Sequence, residues 1–498
     1  MFYDWKFRFK DLGPVDDATL ELGDLTIITG RNNTGKTYMV YTLYGFLRDF
    51  SELADEIIEE WSTNGRMSPA IPFSAGEIAK QLLKSGHFES EFSMQAFNAD
   101  RVQLIRQMFR RYSHNKIDDV FNARSGTFRR AVFDAEIGHG ESDRSLIGLT
   151  FDVQTGGDLS IIFDKDKLYF ALERDKRIER KERERTEVRA DERIRGLLLE
   201  SNLRQAYARF LFYDTQDVFN RTLDCSTSVR LAVSLFYPEL ESKRRFTVRQ
   251  IQQAKDDQDQ RGDTLSPAEI IRTNTSRYAL PIDDEINFVK TIPNLPSEWA
   301  TSEKGEAERE LEKIVGGSFT KSDGILYFIP SKGSPDQTGI PLHLASSSAV
   351  EMSRLFFHFV LRREGGSPLL IIDEPESHLD TMNQIRFARA LVQWVNSGMK
   401  ILISTHSDFI VKEINNLIML NGSFDDKENL VEELGYEEGD SIEPSKIKAY
   451  YAVDGGLEPC PMNAFGIEVR SFEDSIDELI RVSGVLGSRI MLASDKSE

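Results

Sequence analysis

Residues Gly30 to Thr37 read Gly-Arg-Asn-Asn-Thr-Gly-Lys-Thr: two glycines four residues apart, then lysine and threonine. That spacing suits the cradling of a polyphosphate. Backbone N–H groups of Gly30, Asn32, Asn33, Thr34 and Gly35 can surround a β-phosphate at a helix N-terminus, where the helix dipole favours an anion. Lys36 can reach the β- and γ-phosphates, and the Thr37 hydroxyl can ligate Mg²⁺. The plain alternative is a glycine-bearing turn with a surface lysine. Context argues against it. Leu25 to Thr29 is an apolar run suited to a buried parallel strand, and Tyr38 to Phe50 reads as a helix without proline.

A second cluster lies far downstream. Leu369-Leu-Ile-Ile predicts a strand buried on both faces, and it ends in Asp373 and Glu374, acids that a core cannot hold uncompensated. With a nucleotide nearby, Asp373 can bind Mg²⁺ and Glu374 can orient and deprotonate an attacking water. Pro375, Glu376, Ser377, His378, Leu379 and Asp380 follow. Lys400-Ile-Leu-Ile-Ser-Thr is a further apolar strand, and His406 stands at its C-terminal end, where open parallel sheets place ligands. A structural histidine is the competing reading; contact with a γ-phosphate is favoured because three other nucleotide elements precede it. Upstream, Leu344-Ala-Ser-Ser-Ser348 leads into an amphipathic helix from Ala349 to about Arg363. Ser348 and Glu351 have capping-box spacing. A serine-rich helix start can equally hold a phosphate, so both readings stand.

These residues need a scaffold that brings separated segments together. With 498 residues and a net charge of −20, the chain is long enough for more than one domain, and its acidic balance argues against indiscriminate coating of nucleic acid or anionic membrane. Only Cys225 and Cys460 are present, which excludes a disulfide framework and a cysteine-rich zinc site. No apolar run approaches a membrane span and the N-terminus lacks a signal-peptide block, so a cytoplasmic location is expected.

Trp5, Phe7 and Phe9 alternate with Lys6, Arg8 and Lys10, and Ala18 to Leu22 alternates again, predicting a small antiparallel pair. Leu47 to Ile137 reads as helical, with Arg101, Arg106, Arg110, Arg111, Arg129 and Arg130 forming either a solvated face or a nucleic-acid contact. Leu149–Val153, Leu159–Phe163 and Leu168–Leu172 predict a meander that could extend the N-terminal sheet. Arg174 to Arg195 is a mixed-charge segment suited to an exposed helix, and Leu197 to Phe212 is amphipathic. Val229 to Tyr237 reads as a buried strand, and Gln250 to Arg277 as a loop-rich insertion. A helix near Ala307 to Ile314 should end at Gly316-Gly317, followed by a strand at Gly324 to Ile329. After His406, Val411 to Leu420 reads as helix, Ser445 to Val453 as strand, and Ser471 to Leu486 as a final amphipathic helix.

Taken in order, the phosphate loop, the serine-rich helix start, Leu369 to Pro375, Ser377-His-Leu-Asp380 and Ser404-Thr-His-Ser407 resemble the elements of ABC-type ATPase heads. Within these the chain is similar to the RecF/SMC/OLD-like branch, particularly AAA-family ATPases of anti-phage modules such as PARIS and Septu. Arg277-Tyr-Ala-Leu-Pro-Ile-Asp283 and Glu413-Ile-Asn-Asn-Leu-Ile418 also resemble phrases of those proteins. The likeness covers roughly residues 1–50 and 320–480 and is loose between them.

The resemblance implies an α/β fold: a P-loop NTPase head of the ABC type, with a parallel core sheet, an antiparallel β subdomain and helical insertions. Residues 1–50 would begin the head and 321–498 complete it with signature, Walker B, D-loop and H-loop. Between them 51–145 would be a helical insertion, 146–240 antiparallel strands and charged helices, and 241–320 a loop-rich insertion. It implies ATP and Mg²⁺, with two copies sandwiching nucleotide head-to-tail. Lys36, Thr37, Asp373, Glu374 and His406 would come from one copy, and Ser346, Ser347 and Asp380 from its partner. This chain departs from the family in having Ser348 where a signature glycine is usual. It also has no clear switch-loop glutamine, for which Phe236-Tyr-Pro-Glu-Leu could stand in. OLD nucleases carry a Toprim domain after the histidine, but fewer than a hundred residues follow His406 here, so any effector is expected on a separate chain. The implied function is a defence sensor ATPase; the alternative is a RecF- or Rad50-like ATPase clamping DNA.

Overall fold

The structure is a computed structural model. It describes residues 5–63, 73–91, 94–137, 147–153, 157–164, 167–174, 197–204, 206–207, 223–236, 278–295, 299, 303–322, 325–332, 339–361, 369–424, 426–437, 439–469 and 480–486. The chain divides into two compact units, one comprising residues 10–45, 118–128 and 222–498, the other 1–9, 46–117 and 129–221.

The first unit is built on a six-stranded sheet: β1 (Leu25–Gly30), β2 (Leu223–Ser226), β3 (Leu369–Asp373), β4 (Lys400–Thr405), β5 (Ile447–Val453) and β6 (Gly456–Pro459). Their order across the sheet is β6-β5-β1-β4-β3-β2, parallel throughout except for β6. The phosphate-loop strand and the carboxylate strand are therefore not neighbours; β4 lies between them. Apolar residues occupy both faces because helices cover both, so β1 and β3 are buried along their whole length.

Helix α1 (Lys36–Arg48) starts directly after the phosphate loop. Helices α2 (Leu280–Thr291), α3 (Ser347–Leu361), α4 (Thr381–Asn396) and α5 (Asp408–Met419) follow. Every residue of α3 from Ala349 to Phe359 is buried, including Glu351, Ser353, Arg354 and His358. Its apolar side joins Phe387, Leu391, Ile372 and Ile403 in one core cluster. Such polar residues inside a packed helix must find partners.

The same unit carries a small antiparallel sheet of Gly317–Ser322, Ile325–Pro330 and Ile340–Pro341. The helix before it, Glu306–Val315, ends at Gly316 in the left-handed region with φ 67°, as the glycine pair predicts.

The second unit has an aromatic core. Phe46 stacks on Phe109 at 4.3 Å, and Phe7, Phe9, Tyr112 and Phe133 surround them. Its helices are Phe50–Thr63, Ala75–Ser85 and Met94–Asn115.

Three expectations are corrected. The stretch from Leu47 to Ile137 is not wholly helical: His87–Glu91 and Val132–Glu136 are strands, each alternating exposed and buried residues. The meander of Ile147–Val153, Gly157–Asp164 and Lys167–Arg174 forms its own sheet with His87–Glu91 and does not extend the N-terminal one. Residues 230–236 are helical rather than a strand, because the strand of that region, β2, ends at Ser226. The helix proposed for Ser471 to Leu486 is described only over 480–486. The mixed-charge segment Arg174 to Arg195 (apart from Arg174) and the insertion Gln250 to Arg277 lie outside the described residues.

Candidate nucleotide site

Strand β1 delivers the chain to Gly30, whose φ of 135° only glycine adopts without strain. A Cβ there would stand 2.6 Å from the carbonyl oxygen of Ala452 on β5. The loop then turns through Asn33 and Gly35, at φ 64° and 92°. Asn32 and Asn33 are exposed, Thr34 donates to the Arg31 carbonyl at 2.8 Å, and Thr37 is half-buried at the start of α1.

Lys36 arches back over the loop, its Nζ donating to the carbonyls of Gly30 at 3.1 Å and Arg31 at 2.7 Å. Burial brings its pKa down to about 8, while the charges of Glu374, Asp373 and Glu376 act in the other direction. Those three carboxylates are thus close enough for their fields to reach the ammonium group.

The register explains the meeting. Thr29 is level with Thr405 and with Tyr451, and Asp373 is level with Ser404. The C-terminal ends of β1, β3 and β4 come to one edge, where parallel sheets bind ligands.

At that edge the Ser404 hydroxyl donates to Asp373 Oδ1. Burial lifts the Asp373 carboxyl above the usual carboxylate range. Its Oδ2 is buried without a hydrogen-bond partner. An orphaned carboxylate oxygen beside a phosphate loop fits a hard divalent cation, which takes oxygen donors and usually only one or two from protein.

Glu374 follows with φ 51°, an uncommon conformation for a residue with a Cβ. Its N–H donates to the Ser404 carbonyl at 2.9 Å. Its Oε1 lies 3.9 Å from His406 Nε2. Burial, assisted by the Lys36 charge, pushes the His406 pKa down, so the imidazole is biased towards its neutral form. Glu376 ties the two turns together, accepting from the Thr405 hydroxyl at 2.9 Å and from the His406 N–H.

Three contributors were missed from sequence. Arg230 is fully buried and donates to the carbonyls of Asp373 and Glu374, each at 2.8 Å, while its Nε pairs with Glu351 at 2.7 Å. A single arginine within Val229-Arg-Leu-Ala-Val was the available signal, since an arginine in an apolar run needs a buried partner. Ser404 and Glu376 sat in quoted motifs without an assigned task. The chain next to the carboxylate strand leaves β2 at Ser226, and the Thr227 N–H and hydroxyl both donate to Glu285. Of the Phe236-Tyr-Pro-Glu-Leu segment offered from sequence for the switch loop, Phe236 is 57 % exposed and residues 237–240 lie outside the described residues.

The capping expectation is corrected as well. Ser346, not Ser348, caps α3, accepting from the Ala349 N–H at 3.3 Å, and Glu351 is turned inward to Arg230. Ser346 and Ser347 are exposed at the helix start. Asp380 is exposed and caps α4, accepting from the Asn383 N–H at 3.0 Å. Lys36, Asp373, Glu374 and His406 are thus brought together. Among the described residues no hydrogen bond or ion pair links Ser346, Ser347 or Asp380 to that group.

A phosphate loop after the first parallel strand, a carboxylate strand two places away and a histidine just past the strand between define a P-loop ATPase fold. The chain belongs to the AAA ATPase domain family, which it matches over residues 6–411. It is an ATP hydrolase. Similar solved structures include the SMC head domain from Thermotoga maritima, at 10% identity and TM-score 0.30, covering 92% of this chain and 98% of that one. An SmcHead bound to the C-winged helix domain of ScpA is similar at 10% identity and TM-score 0.33, covering 91% and 95%. An Smc head with an extended coiled coil bound to the C-terminal domain of ScpA, derived from Pyrococcus furiosus, gives 12% and 0.28, covering 96% and 98%. No curated protein matches the chain. Among the described residues, no helix is long and apolar enough to cross a membrane.

Proposed function

We propose that this ATPase is the Mg²⁺-dependent sensor and regulatory subunit of a cytoplasmic anti-phage system. It would form head-to-tail homodimers or larger oligomers and control a separate effector chain, a nuclease or toxin. The observation that carries the oligomeric part is the exposure of Ser346, Ser347 and Asp380 at two helix starts, apart from the Lys36 group. On this reading they form half of a site that a second copy completes. The defence role rests on the motif resemblance given above.

Within one copy, Lys36 binds the β- and γ-phosphates, and loop amides from Gly30 to Gly35 hold the β-phosphate. Thr37 and Asp373 Oδ2 would hold Mg²⁺, which supplies charge neutralisation on the phosphates. Glu374 accepts a proton from the attacking water as its oxygen bonds to the γ-phosphorus. The bond to the β,γ-bridging oxygen breaks, and ADP leaves with that electron pair. Neutral His406 orients the γ-phosphate by hydrogen bonding. The partner's serine-rich helix start closes over the γ-phosphate and excludes water.

A DNA-clamping role is the second reading, favoured by the exposed Arg106, Arg110, Arg129 and Arg130. The two separate in one experiment. Cells carrying the chain with its natural gene neighbours are challenged with phage, and the purified complex is weighed with and without ATP. The defence reading expects protection lost in Lys36→Ala and a complex whose mass changes with ATP. Equal plating of phage on wild type and variant, with ATP-dependent duplex binding that falls steeply with salt, favours the clamp instead.

A further inference from the structure

The Arg230 side chain joins two parts of the proposed site that are far apart in sequence. Its Nη1 donates to the carbonyls of Thr227 and Asp373 and its Nη2 to that of Glu374, all at 2.8 Å. Its Nε faces Glu351 Oε1 at 2.7 Å, and both side chains are 0% exposed. One planar guanidinium therefore holds three backbone oxygens by hydrogen bonds and lies against one carboxylate as a buried ion pair without a hydrogen bond, a set that a lysine cannot reproduce.

Two features give this clamp a direction. Glu374 keeps its left-handed backbone because the peptide is gripped from both ends. Its N–H reaches Ser404 and its carbonyl reaches Arg230. Releasing either end lets the residue relax, and its carboxylate leaves its place beside His406. Glu351 lies on α3 one turn after Ser347, so movement of that helix start is passed directly to the guanidinium.

We infer that Arg230 is a positioning residue that couples the serine-rich start of α3 to the carboxylate of Glu374. Nucleotide held by those serines in one pocket then sets the aim of the base in the other, and hydrolysis at the paired sites becomes cooperative. This inference rests on the proposed function, taking Glu374 as base and Ser346 and Ser347 as the half-site for a second copy's nucleotide.

The test compares wild type, Arg230→Lys, Glu351→Gln and Glu374→Gln in the full chain, using a fluorescent ATP analogue for binding and phosphate release for turnover. Arg230→Lys is expected to bind ATP within about threefold of wild type while kcat per bound nucleotide falls about 100-fold, the usual effect of a misplaced reacting group. A kcat within about threefold of wild type overturns the inference, as does a fall in kcat matched by an equal loss of binding capacity, the mark of a purely structural arginine. Glu351→Gln decides if the lysine variant is insoluble. Wild type is expected to show a Hill coefficient approaching about 2, and Glu351→Gln about 1 with ATP affinity retained. Equal Hill coefficients in the two overturn the coupling. Wild-type turnover in Glu374→Gln instead defeats the underlying assignment of the base. An inactive Glu374→Gln beside a fully active Arg230→Lys defeats only the inference drawn from Arg230.

Discussion

The Ser404 hydroxyl on β4 donates across the sheet to Asp373 Oδ1 at the end of β3, leaving Oδ2 buried and without a hydrogen-bond partner. One oxygen is fixed by the fold, and the other is left for a ligand. The strand pairing that sets Asp373 against Ser404 is what makes that division possible.

Metal dependence follows from this arrangement. Asp373→Asn is expected to abolish the Mg²⁺-dependent part of ATP affinity, measured by analogue binding with and without the cation. Ser404→Ala frees the carboxylate to rotate and should raise the Mg²⁺ concentration for half-maximal activity by roughly tenfold, about the loss seen when an outer partner of a metal ligand is removed. An unchanged Mg²⁺ titration in both variants removes Asp373 from the metal.

Lys36 and Glu374 should separate binding from chemistry. Lys36→Ala is expected to lose tight nucleotide binding, since the variant lacks the ammonium that the phosphate loop carries for the β- and γ-phosphates. Glu374→Gln should keep ATP bound, lose on the order of 100-fold or more in kcat, and accumulate as the ATP-bound oligomer in size-exclusion chromatography. Turnover equal to wild type in Glu374→Gln is the result that contradicts this.

Gly30→Ala tests the phosphate loop without touching a functional group. The new methyl would meet the Ala452 carbonyl at 2.6 Å, and backbone cannot give way as a flexible side chain does. The φ of 135° adds strain. A loss of about 2 kcal/mol in stability is expected, with ATP affinity lowered together with it. Chemical denaturation of the two proteins measures the first, and analogue titration the second.

The polar interior beside the site should be sensitive to acid. Burial raises the carboxyl pKa of Asp224, but the Arg354 guanidinium at 2.7 Å and the His358 ring outweigh it and hold the group well below the usual range. A depressed folded pKa stabilises above the ordinary aspartate value of 3.8 and that contribution drains away as pH falls below it. Asp224→Asn is expected to cost roughly 3 kcal/mol at neutral pH, because it leaves Arg354 buried beside a neutral amide. The gap between wild type and variant should begin to narrow as pH falls below about 4 and go on narrowing through the whole acid range in urea denaturation series. A gap that stays constant with pH contradicts the role given to the ionised carboxylate.

Much of the site was legible because its chemistry is written in short runs. Two glycines, a lysine and a threonine at fixed spacing, and an apolar strand ending in two acids, have few other physical explanations. The apolar runs also announced β1, β3 and β4, since strands covered on both faces need no alternation. Short half-buried strands such as His87–Glu91 were lost among helical neighbours because five alternating residues give a weak signal.

Sequence by itself determined which groups could do chemistry: Lys36, Thr37, Asp373, Glu374 and His406, each placed by a local pattern. Only the tertiary structure decided how they are held. Arg230 reaches Glu374 across 144 positions and Asp373 across 143, and Asp224 meets Arg354 across 130. Local periodicity reports which face of a strand or helix is buried, but not which buried charge meets which. That choice is made by the order and register of the sheet, where low dielectric forces each buried polar group to find its partner.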